Sequence, residues 1–91
     1  MVAPSNFKVV QLAEVMDLKE AAPLAARLCA LRGRPLKLDA SGVQRLGGLC
    51  LQVLLSARAT WATDNVAIGI VNPSAAFEEA MALFGASSFT T

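Results

Sequence analysis

The sequence predicts a small α/β domain: helices packed on a mostly parallel or mixed sheet. Three observations predict it. Strand-like and helix-like patterns alternate along the chain, an order that favours parallel strands joined by helical crossovers. One strand candidate, Val66–Val71 (VAIGIV), is a continuous apolar run, as in strands buried within parallel sheets. The chain has 91 residues, 55% apolar and only 16% charged, enough for one core and no more. The domain is expected over residues 5–86, with tails at 1–4 and 87–91.

Each element has a local reason. Phe7–Val15 (FKVVQLAEV), β-branched near its centre, reads as the first strand. Asp17 offers an N-cap, with Glu20 in the capping-box place. The helix it starts runs to about Leu31, with Ala21, Leu24, Leu28 and Leu31 as its core stripe. Pro23 is awkward inside it: either the first turn is irregular, or the regular helix begins at Pro23. Arg32-Gly33 closes it with a basic last turn and a glycine cap.

Pro35–Ala40 (PLKLDA) alternates apolar and polar residues and reads as the second strand. Ser41-Gly42 and Gly47-Gly48 are turn signals, and a long helix follows from about Gly48 to Thr63. Asp64-Asn65 marks a turn. Val66–Val71 then reads as a central strand, buried on both faces. Ser74 caps the last helix, with Glu78 and Glu79 near its positive end. That helix is expected to bury Phe77, Met81 and Phe84 and to stop at Gly85.

Composition excludes several functions. The sequence has no histidine, so the commonest general base and metal ligand are both missing. Its two cysteines cannot build a zinc site, and a net charge of +1 lacks the footprint of a nucleic-acid binder. The longest charge-free stretches, Leu46–Ala57 and Val66–Phe77, are too short to span a bilayer, which needs about 20 residues. The N-terminus lacks the basic segment and apolar core of a signal peptide, so a cytoplasmic location with reduced cysteines is expected.

Enzyme motifs are tested and dropped. Gly47-Gly48 lacks both the dinucleotide fingerprint and a P-loop lysine. Asp39 has no second acid beside it and reads as a turn or cap residue. Cys29 and Cys50 read as core thiols. Ser41, Ser56 and Ser74 have no histidine to activate them. Arg45 and Arg58 read as solvated or rim charges, and Trp61 as a core or edge anchor. No catalytic, cofactor-binding or metal-binding residue is assigned, and an enzyme is not expected.

The helix Gly48–Thr63 is too apolar for an ordinary surface helix. Its only charge is Arg58, and Gln52, Ser56, Thr60 and Thr63 form one narrow polar stripe. Two compatible readings follow: the helix is enclosed by sheet and neighbouring helices, or part of it is a docking face.

Leu38–Leu55 (LDASGVQRLGGLCLQVLL) resembles the signature of STAS domains, named from sulfate transporters and anti-sigma-factor antagonists. Leu38 and Asp39 match the strand end, Ser41, Gly42 and Val43 the turn, and Leu46 the apolar residue that follows. Leu49, Cys50 and Leu51 continue into the helix. The likeness extends to Val10–Ala21 and to Asn72–Gly85. One departure matters most: Gly47 and Gly48 stand where the family has Asp and a phosphorylatable Ser. Gly48 is therefore a degenerate phosphosite, and the family's phospho-switch should be absent.

The resemblance implies a STAS-like fold and a non-catalytic adaptor without a cofactor. In the family, the loop before the second helix and that helix's first turns form the partner surface. Carried over, that is Ser41, Val43, Gln44, Arg45, Leu46, Gly47, Gly48, Leu49 and Gln52, with Leu46 and Leu49 as apolar anchors. The wording LDASGVQRLGGLCLQVLLSARATW is nearer to the small stand-alone STAS proteins of bacterial chemotaxis clusters. That implies a chemotaxis histidine kinase, or another signalling protein, as partner. Alternatives are the small STAS subunit of a lipid-transport ABC ATPase, an anti-sigma-factor antagonist switched at Ser41 or Ser56, and lipid or small-molecule binding at the apolar helix. A homodimer through the apolar faces stays open.

Overall fold

The computed structural model describes residues 7–85, so the expected tails at 1–4 and 87–91 lie outside the described residues. The elements are β1 (Lys8–Gln11), β2 (Val15–Met16), α1 (Leu18–Ala30), β3 (Leu36–Asp39), β4 (Arg45–Leu46), α2 (Gly48–Thr63), β5 (Ile68–Val71) and α3 (Ala75–Leu83). Among the described residues all pairings are parallel: β1, β3 and β5 form one sheet in that order, and β2 pairs with β4 in a short second ladder. A small α/β fold with three helices on parallel strands was the expected class.

The single first strand expected over Phe7–Val15 divides in two. The Leu12 amide makes a last sheet bond to the Asp39 carbonyl, and the chain then leaves the sheet. Val15 and Met16 pair instead with Arg45 and Leu46. No hydrophobic pattern marks two-residue strands, because their pairing is set from outside the segment.

The central strand is β3, not β5. Leu36 and Leu38 are fully buried between the parallel neighbours, whereas β5 is an edge strand among the described residues, with only Ile70 buried. An apolar run reports burial preference but not sheet order. The register places Val10, Leu38 and Ile70 on the core face and Val9, Lys37 and Gly69 on the other. That other face is partly open. Val9 and Lys37 are exposed, and the Lys37 ammonium lies 4.7 Å from the Phe7 ring centroid.

Helix α1 starts where its cap predicts. The Asp17 carboxylate accepts the Lys19 amide at 3.0 Å. Pro23 neither delays nor breaks the helix, which runs continuously from Leu18. Pro23 and Lys19 both lie on the exposed side, where water can serve the carbonyl that proline leaves unpaired. Ala21, Leu24 and Leu28 are buried, and Leu31 is half-buried at the C-cap. Gly33 follows with φ +90, a conformation that glycine adopts without a Cβ penalty.

Helix α2 buries Cys50, Leu51, Leu54, Ala57 and Trp61. The Trp61 indole N–H donates to the Arg34 carbonyl at 2.7 Å, so the largest core side chain has no unsatisfied polar atom. The opposite side, with Gln52, Ser56, Ala59 and Thr63, is exposed. Gly47 is not a turn residue but the N-cap of α2, in extended conformation. In α3, Ser74 caps Phe77 and Met81 is buried as expected. Phe84 is not buried: it is the C-cap residue, 52% exposed. Cys29 also departs from its expected core position and is exposed on α1; Cys50 alone is a core thiol.

Candidate functional site

The connection from β3 to α2 carries the residues the sequence singled out, and three sets of bonds fix it. At its start the Asp39 carboxylate accepts the Ser41 amide at 2.9 Å, a local turn that holds this acid's pKa below its ordinary value. In its middle, Ser74 acts twice: its hydroxyl donates to the Val43 carbonyl and accepts the Phe77 amide, joining the loop to the start of α3. At its end, the Gln44 and Arg45 amides share the Glu14 carbonyl, and the Gly47 amide donates to the Met16 carbonyl at 2.9 Å. The segment leading into α2 is thus held from both sides.

This wiring sorts the nine expected partner-surface residues. Ser41, Gln44, Arg45, Leu49 and Gln52 are exposed, and Gly47 and Gly48 are half-buried. Val43 and Leu46 are in the core. Their side chains point inward because the loop and β4 lie over the hydrophobic interior, so the apolar anchor expected at Leu46 is not presented.

Other apolar side chains take that place. A Cβ on Gly48 would meet the Phe84 ring at 3.6 Å, and one on Gly47 would meet the Met16 carbonyl at 3.3 Å and the Asp17 Cα at 3.9 Å. Leu18 is next to Asp17 and 74% exposed; Leu49 is next to Gly48 and 46% exposed; Val15 pairs with Arg45 and is exposed as well. With Phe84, these make most of the large apolar side chains that the described surface exposes. Phe84 alone is placed directly against Gly48; Leu49 follows it in the chain, and Val15 and Leu18 flank Met16 and Asp17, which Gly47 abuts, so that these four exposed side chains, called the collar below, belong to the segments that meet at the head of α2. Val15, Leu18 and Phe84 escape a sequence reading. Leu18, three positions before Ala21, continues the core stripe on paper, and Phe84 continues the Phe77–Met81 stripe.

The collar's chemistry suits contact. Helix α2 has no side-chain cap, so its amides before Leu51 are left to water or to a partner's oxygen. Behind them the Cys50 thiol donates to the Asp17 carbonyl at 3.2 Å, and burial first, then Asp17 and Glu20, push its pKa up. It is a neutral thiol at pH 7 and a poor nucleophile. Asp17 is engaged as a cap. Among the described residues no cluster of thiols and carboxylates could hold a metal ion, and no helix is long and apolar enough to cross a membrane.

A second surface feature adjoins the collar. Between α1 and α2 lies a groove of about 330 Å³, to which Leu49 and Gln52 both contribute. At its far end the Arg32 guanidinium donates twice to the Asp64 carboxylate, at 2.9 and 3.2 Å. That bond lowers the Asp64 pKa and raises that of Arg32.

Comparison with known proteins places the chain. A family model described as "Mlab, STAS domain" matches residues 2–91. No curated protein matches the chain.

Proposed function

Because the chain belongs to the STAS domain family, we propose that it is a non-catalytic adaptor that docks a signalling protein on the collar around Gly47 and Gly48. The family is one of regulatory, protein-interaction domains related to anti-sigma-factor antagonists. The observation that carries the reading is the collar itself. Exposed Phe84 lies against the position at which the family's switch residue would stand, and exposed Val15, Leu18 and Leu49 belong to the segments that meet there. An apolar patch with polar rim residues, here Gln44, Arg45 and Gln52, is the composition of a docking surface. With glycine at position 48, no phosphate can turn this surface off there. Its occupancy then follows concentration and competition.

On the likeness of Leu38–Trp61 to stand-alone STAS proteins of chemotaxis clusters, the partner is a cytoplasmic histidine kinase. The description Mlab on the matching family model favours a second reading, the small STAS subunit of a lipid-transport ABC ATPase. Affinity capture with the wild-type chain and with Gly48→Glu tests both. A histidine kinase retained by the wild type and lost by the variant supports the first. An ATPase with a membrane permease, lost in the same way, supports the second. Equal capture by a folded Gly48→Glu refutes the collar. Intact mass after incubation with candidate kinases checks the remaining switch, since phosphate on Ser41 or Ser56 would replace constitutive binding by a relocated control.

A further inference from the structure

The outer face of the β1-β3-β5 sheet is a surface of its own. The sheet is parallel throughout among the described residues, a kind that is ordinarily covered on both faces. Val10, Leu38 and Ile70 face the core, while the residues that alternate with them stand outside it. The register sets those in two rows: Val9, Lys37 and Gly69, then Gln11, Asp39 and Val71. Val9, Gln11 and Lys37 are exposed, and the other three are half-buried.

The two rows complement each other in charge and in shape. Lys37 and Asp39 carry opposite charges on the central strand, about 7 Å apart along it. Among the described residues no acid pairs with Lys37, whose ammonium lies over the Phe7 ring. Asp39 accepts the Ser41 amide with one oxygen and has acceptor sites to spare. Gly69 leaves a gap, since a Cβ there would meet nothing within 4 Å, and Val71 is the branched side chain of the other row. A second copy laid face to face with antiparallel strands, about a two-fold axis level with Leu38, brings each row onto the other. Lys37 then stands opposite Asp39, Gly69 opposite Val71, and Val9 opposite Gln11. The angle of about 30° at which twisted sheets pack moves Lys37 and Asp39, so near the axis, by only about 2 Å. Self-complementarity of this kind is what an isologous dimer requires. With strands parallel, Lys37 would meet Lys37 and Asp39 would meet Asp39, which like charges oppose.

We infer that two copies of this chain pair through the outer face of the sheet, strands antiparallel, with the Lys37 of each copy against the Asp39 of the other. The inference goes beyond the collar and does not depend on it. Three strands of four residues make a face of about 14 by 13 Å. That area belongs to the small, transient class of interfaces, so the dimer forms only at high protein concentration.

Sedimentation of the full chain from about 10 μM to about 1 mM tests this, and the wild type should pass from monomer to dimer across that range. Lys37→Asp sets acid against acid. Gly69→Arg fills the gap at a position where a Cβ meets no neighbour. Each should weaken self-association at least tenfold with an unchanged urea midpoint. Lys37→Asp mixed with Asp39→Lys should associate again, because each then faces opposite charge on the other. If loss of the Ser41 turn unfolds Asp39→Lys, the first two variants decide alone. A wild type still monomeric at about 1 mM overturns the inference. So does a dimer that either Lys37→Asp or Gly69→Arg leaves intact, since it would use another surface. Benzophenone-maleimide at Val9→Cys, in a Cys29→Ser background, reports what lies on the face. The expected adduct joins the region of Gln11 in a second, isotopically distinct copy. An adduct to residues 1–6 of the same chain, to a lipid or to another protein overturns the inference.

Discussion

The two glycines at the head of α2 should respond in opposite directions to the same substitution. Gly47 is the N-cap, with φ −86 and ψ 164, a conformation open to any residue, so backbone strain plays no part. Alanine there loses a favourable cap, which costs about 0.5–1 kcal/mol. Its Cβ would also lie 3.3 Å from the Met16 carbonyl oxygen. That oxygen cannot retreat freely, because it accepts the Gly47 amide at 2.9 Å. Adding the two effects, Gly47→Ala should destabilise by about 1–2 kcal/mol. Gly48 is the first helical residue, and its Cβ would meet only the Phe84 ring, in ordinary contact at 3.6 Å. Alanine there removes the entropic cost of glycine in a helix, and Gly48→Ala should stabilise by about 0.5–1 kcal/mol. Urea denaturation at constant m-value measures both, and each kcal/mol should move Tm by about 4–8 °C in a domain of this size. Gly47→Ser separates the two causes: its hydroxyl can cap the first turn, recovering about 1 kcal/mol relative to alanine while keeping the same Cβ contact. If Gly47→Ala and Gly48→Ala shift stability in the same direction, the packing described at the head of α2 is wrong.

Four other outcomes follow from the same structure. Leu18→Asp and Leu49→Asp should abolish partner capture while changing stability by less than about 1 kcal/mol, because both side chains are exposed; loss of cooperative folding in either would contradict the collar. Trp61→Phe, which leaves the Arg34 carbonyl without its indole donor, should cost about 1–3 kcal/mol by thermal or urea unfolding, and an unchanged midpoint would argue against that bond. In the native protein a thiol reagent at pH 7 should modify Cys29 quickly, and Cys50 only after denaturant is added. Two native-rate equivalents would show that Cys50 is accessible. The lowered pKa values of Asp39 and Asp64 contribute stability that is present above the unfolded carboxylate value of about 3.9 and is lost as pH falls through the folded values. Asp64→Asn should therefore flatten the acid limb of the stability profile, and an unaltered limb would mean that the Arg32 pair contributes nothing.

What the sequence determined by itself was local. Asp17 and Ser74 announce their caps, the strand and helix patterns alternate, and Leu38–Leu55 carries a family signature, because each of these depends on neighbours within a few positions. Tertiary structure decided whatever depends on partners far away in the chain. The order β1-β3-β5 put an apolar strand at the edge, and β2 and β4 exist only through each other. The same distance effect remade the site. Leu46 and Val43 turned inward when the Glu14 and Met16 carbonyls and the Ser74 hydroxyl pinned the loop over the core. Phe84 and Leu18 turned outward because each stands at a helix end, where the stripe that periodicity extends on paper has run out of core to cover. Hydrophobic periodicity records which face a residue shares, but burial also requires another element opposite that face, and only the packed chain supplies it.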